Sequence, residues 1–209
     1  MPGALCPGPV MQGSQRAFIH DALVLTMTNM TPLFPTLLGP DAWQALPPPV
    51  QRMHGSPVRI VAEGEADIDG ATHPVARLLR RLLGLPEPGQ RQLLRVIITP
   101  DGMQETWARQ FVSRRMQSVL SRREGSPLLY ERLGPTMLGF ILRRNGDAID
   151  WSLRRVWVFG MPVPRACFGN VLSRSGCTDG RYTFTVDTRL PLIGKLVAYR
   201  GWLKILPDA

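Results

Sequence analysis

The residues best able to do chemistry fall on one alternating segment, Gln104-Glu105-Thr106-Trp107-Ala108-Arg109-Gln110-Phe111. Side chains alternate between the two faces of a strand, so Glu105, Trp107, Arg109 and Phe111 share one face. The other face is polar or small. The bulky face is the one a core accepts, and it takes a carboxylate and a guanidinium inside with it. A buried ion is costly unless it is paired and hydrogen-bonded. The segment therefore calls for either an internal ion pair or a ligand.

Three further segments repeat the theme. Trp151, Leu153, Arg155, Trp157 and Phe159 share a face on which Arg155 can stack on indole or meet an anionic group. Glu131 stands between Leu129 and Leu133, and Tyr199 aligns with Val197, Gly201, Leu203 and Ile205. Together with Trp107, the set Glu105, Arg109, Glu131, Arg155 and Tyr199 describes an apolar pocket with a few polar handles, the usual lining of a small-molecule site. The competing reading is internal pairing alone, such as Arg109 with Glu131 on neighbouring strands. His54, before Gly55, is either a general base or a residue that hydrogen-bonds a helix end or loop. His73, next to Pro74, begins a helix, and His20 carries no argument. No G-x-S-x-G elbow, phosphate-binding loop or HExxH is present, and no GxGxxG follows a strand. No cofactor and no metal are assigned; Asp101, Asp147 and Asp150 read as turn residues.

The elements that must position these groups are mostly strands. Residues 1–30, rich in Pro and Gly, read as a flexible extension, and 31–209 as one domain. Helical signals cover 33–38, 40–46 and the turn through Val50 and Met53. From Val58 to Ile68 the hydrophobic period becomes two. A longer helix follows over about 73–84, with Val75, Leu78, Leu79, Leu82 and Leu83 as its apolar stripe. Strands are expected near 92–99, 104–112, 116–121, 128–133, 137–143, 149–159, 181–188 and 194–206. Pro100-Asp101-Gly102, Asn145-Gly146-Asp147 and Asp179-Gly180 are turns, and 160–173 is read as a loop. The fold class is mainly β: an antiparallel barrel or strongly curved sheet of about eight to ten strands with a few short helices. The alternative is an α+β helix-grip sheet, against which the strand-like C-terminus argues.

The 209 residues carry a net charge of +9, nearly all of it from Arg. That charge suggests a phosphate-bearing or acidic partner, or simply an Arg-biased composition. No nucleic-acid motif accompanies it. Cys6, Cys167 and Cys177 form no CxxC pair; Cys167 and Cys177 are expected as reduced core thiols. No apolar run has the roughly 20 residues of a membrane-spanning helix, and a cytoplasmic location is the expectation.

His54-Gly55 after Leu46-Pro47, the Glu105-x-Trp107-x-Arg109-x-Phe111 strand, Glu131 before Gly134-Pro135, and Tyr199-Arg200-Gly201-x-Leu203 occur in this order. In these motifs the chain resembles, over about 36–206, the bacterial domain-of-unknown-function family numbered four thousand one hundred and sixty-six. The resemblance brings no established activity. It implies a domain able to work beside a saccharopine-dehydrogenase-like, NAD(P)-binding oxidoreductase, holding its substrate. The functional expectation is a binding module for a small apolar or acidic ligand. The alternatives are an isomerase or hydrolase using Glu105 or Glu131 with His54 or Tyr199, and an anionic-surface or nucleic-acid binder.

Overall fold

The structure is a computed structural model and describes residues 32–207. The extension expected over 1–30, with Cys6 and His20, lies outside the described residues. Three short helices come first: α1 (Leu33–Leu38), α2 (Pro40–Gln44) and α3 (Pro48–Gly55). Strand β1 (Ile60–Gly70) leads to helix α4 (Pro74–Leu82). The rest is a meander: β2 (Gly89–Asp101), β3 (Gln104–Phe111), β4 (Arg115–Arg122), β5 (Leu129–Leu133), β6 (Thr136–Asn145), β7 (Ala148–Val158), the two-residue β8 (Met161–Pro162), β9 (Asn170–Thr178), β10 (Arg181–Leu190) and β11 (Gly194–Ile205).

Each long strand pairs antiparallel with its predecessor, and β1 pairs with β11, closing a ten-stranded up-and-down barrel with β8 as an extra strand beside β7. Closure removes the exposed edges an open sheet would present. The seam depends on two glycines. A side chain at Gly64 would begin 2.0 Å from the Trp202 carbonyl oxygen, and one at Gly201 2.0 Å from that of Glu65. Backbone approaches there more closely than any Cβ permits. Asp179 and Gly180, both with positive φ, form the tight turn between β9 and β10 that their residue types anticipate.

A meander sends its connections alternately to the two ends of the barrel. At one end, α1 and α3 form a plug, with Phe34, Val50, Met53 and His54 all buried against β6, β9 and β10. The opposite end carries α4 and the β3–β4, β5–β6, β7–β9 and β10–β11 connections. There α4 departs from expectation. Ala76 and Arg80 are its buried residues, while Val75, Leu78 and Leu82 face outward. The cause is Arg80, whose guanidinium donates to the Pro86 carbonyl and the Glu87 carboxylate and so fixes the inward face.

Two further expectations are corrected. Residues 170–173, expected as the end of a loop, instead begin strand β9; the inward positions Ser173 and Ser175 are polar, so the usual apolar alternation is missing. Cys167 is exposed rather than in the core, and Cys177 is partly buried; both are free. The seam gives the first prediction. Gly201→Ala should lower unfolding free energy by about 1–3 kcal/mol, the usual cost of forced overpacking. Denaturant unfolding of the variant checks this.

A candidate ligand site inside the barrel

The inward side chains leave a cavity of about 620 Å³. It runs from a floor of Met53, Trp107, Trp151 and Tyr182, against the plug, toward Leu82 and Phe159 at the α4 end. Most of the wall is aliphatic, as alternation on β2, β6, β7 and β11 requires.

One polar cluster interrupts that wall. Arg109 on β3 donates from Nη1 to Ser118 Oγ at 2.8 Å and from Nη2 to Glu131 Oε1 at 3.2 Å. Ser118 Oγ in turn donates to Glu131 Oε1 at 2.7 Å. The pair foreseen on neighbouring strands is thus real but one strand wider: β4 lies between, and Ser118 bridges the gap. The guanidinium also lies 5.0 Å from the Trp107 ring centroid, a cation–π distance. Tyr199 completes the group. Burial pushes its phenol above the ordinary value, Arg109 pulls it back and Glu131 pushes it up, so it lies within the field of both. Its hydroxyl has no hydrogen-bond partner among the described residues and is on the cavity wall.

Other expected site residues lie elsewhere. Glu105 is buried beyond Trp107 and accepts its Nε1–H at 2.9 Å, without lining the cavity. His54 lies inside the plug, its ring 4.1 Å from Phe34 and 5.5 Å from Trp107, with Nε2 3.1 Å from Tyr182 Oη. Arg155 faces solvent and is corrected out of the set. A bulge skips Arg154 between the Gly139–Arg155 and Phe140–Leu153 pairs, so β7 changes face. Trp157 turns outward with it and packs on Tyr130 at 5.9 Å. An acid–base pair of His54 with Glu105 or Glu131 at one cavity atom is therefore not assembled. Ser118, Ser175 and Tyr182 were missed as polar members of the interior. Ser118 had a signal, its i±2 neighbours Met116 and Leu120 both being inward and apolar.

Two buried titratable groups act in opposite senses. Burial raises the Glu105 pKa to about 7 against the opposing hydrogen bond from Trp107, and lowers that of His54 to about 3. Glu105 therefore contributes stability that is full below its unfolded value of 4.5 and lost as pH rises through about 7. His54 contributes stability present above 6.5 and lost as pH falls toward about 3. Between 4.5 and 6.5 the two slopes oppose each other. Glu105→Gln keeps an acceptor for Trp107 and removes one slope. Denaturant titrations across pH should then show its stability falling steadily from pH 6.5 downward, where the parent is nearly flat to pH 4.5.

A search of curated proteins finds no match. The family model described as domain of unknown function DUF4166 matches residues 46–203, from the plug helix α3 through most of β11 and so across the cavity walls. The chain belongs to that family, DUF4166.

Proposed function

We propose that the chain is a binding module holding a neutral, largely apolar small molecule in its barrel, with one hydrogen-bond-accepting end on Arg109 and Tyr199. The observation that carries this reading is the charge state of the cluster. Glu131 already neutralises the Arg109 guanidinium. An acidic ligand would bring a second carboxylate beside Glu131 into a low-dielectric space, which is unfavourable. Arg109 nevertheless has five N–H donors, of which the observed bonds to side chains engage two. Those remaining, with the unpartnered Tyr199 hydroxyl, suit a carbonyl or hydroxyl oxygen. The aliphatic wall suits the rest of the molecule. A role beside an NAD(P)-binding oxidoreductase, with the barrel holding its substrate, rests on the family resemblance alone.

A neutral acyl-(dimethylamino)naphthalene, with a single carbonyl acceptor, is a suitable fluorescent probe. It should bind with blue-shifted emission and be displaced only weakly by a carboxylate-bearing analogue of equal chain length. Tyr199→Phe should weaken binding about 2–10-fold, the worth of one hydrogen bond. Leu138→Trp, which places an indole in the cavity, should abolish binding without unfolding the barrel. Equal binding by the Leu138→Trp variant would place the probe elsewhere and overturn the reading.

A further inference from the structure

The outer rim of the α4 end differs from the remaining surface in two ways. The first is apolar exposure. Of the eleven exposed large hydrophobic side chains among the described residues, seven lie on connections or the short strand at this end: Val75, Leu78 and Leu82 on α4, with Val112, Phe159, Met161 and Leu192. Each of four separate connections thus presents at least one. Scattered single hydrophobics are ordinary on a protein surface; convergence from independent turns onto one end is not.

The second is charge. The connections at the α4 end contain Arg77, Arg80, Arg81, Arg114 and Arg165, against Glu87 as their one carboxylate. The helices and turns at the plugged end contain Asp41, Glu124, Asp147 and Asp179 against Arg52, Arg59 and Arg123. The connections at the α4 end therefore carry a positive excess that those at the plugged end lack. Arg77, Arg81 and Arg165 have no ion-pair partner among the described residues.

Two of the apolar tips also sit where a large side chain is disfavoured. Phe159 has φ of 50° and Leu192 φ of 65°, in the left-handed region. Gly or Asn folds more readily there. Leu192 is fully exposed, so no contact within the described residues offsets its strain. At Leu192 the side chain neither packs nor relaxes the turn, so packing among the described residues does not account for it.

We propose that this end docks on an anionic lipid bilayer, with the apolar tips entering the interface and the arginines meeting lipid phosphates. Apolar insertion combined with basic side chains is the general pattern of interfacial binding. The cavity runs to the same end, so a docked barrel would receive or release its apolar ligand directly at the bilayer. That last step rests on the proposed cavity function; docking itself does not.

Sedimentation of the full chain with vesicles tests it. Phosphatidylcholine vesicles containing phosphatidylglycerol should pellet the protein, and pure phosphatidylcholine should pellet much less. Leu78→Ser with Met161→Ser, neither residue lining the cavity, should weaken binding about tenfold or more through lost apolar transfer. Arg77→Gln with Arg81→Gln should remove much of the salt-sensitive part. Leu192→Asn separates docking from folding: it should raise the melting temperature by relieving the left-handed leucine while lowering vesicle affinity. Probe binding without vesicles should be unchanged in all three, so failure here is distinguishable from failure of the cavity reading. Equal pelleting with and without anionic lipid would overturn the proposal, as would undiminished binding by the Leu78→Ser, Met161→Ser variant. Self-association of the full chain through this rim, without vesicle binding, would instead assign it to a protein contact and equally overturn it.

Discussion

Closing ten strands on one another sets an interior wider than inward side chains fill. About eight strands make a barrel that its own side chains can pack. Two more enlarge it, and the chain meets the extra volume differently at its two ends. At one end α1 and α3 insert Phe34, Met53 and His54 among Trp107 and Trp151. At the other, Leu79, Leu83 and Phe168 line the space without filling it, and about 620 Å³ remains. Plug, cavity and rim all follow from that geometry.

The interior also explains which polar groups the fold tolerates. Burial pushes the Glu105 pKa up to about 7, and its carboxyl gives Trp107 an acceptor. His54 remains neutral beside Tyr182, which donates onward to Ser175 at 3.0 Å. Arg109 is the exception, a full charge held beside the cavity. It persists because Ser118 and Glu131 are delivered by two successive strands. Breaking such a pair is far more costly than never having built it. The arrangement therefore also fixes the relation of β3, β4 and β5.

Much of this was legible in the residue order, where alternation is strict. β3 carries Glu105, Trp107, Arg109 and Phe111 inward as its period requires, and the tight turns sit where Gly and Asp allow them. What was not legible came from three physical sources. The bulge in β7 inverts the face of everything after Leu153, and a period-two reading has no means of seeing one skipped residue. Strand β9 turns serines inward to meet Tyr182 and the cavity, reversing the usual polar-out pattern. Helix α4 has a strong apolar stripe, yet the buried Arg80 contacts decide which face turns in. The same feature hides the rim: Leu78 and Leu82, which read as core, are exposed.

The central claim is that the cavity holds a neutral apolar molecule anchored at Arg109 and Tyr199. Native mass spectrometry of the purified full chain, before and after extraction with organic solvent, measures this most directly. The account predicts a one-to-one adduct, removed by extraction, whose molecule is uncharged and restores the original mass when added back. Protein that carries no adduct and that, after extraction, takes up no neutral carbonyl-terminated hydrocarbon would contradict it.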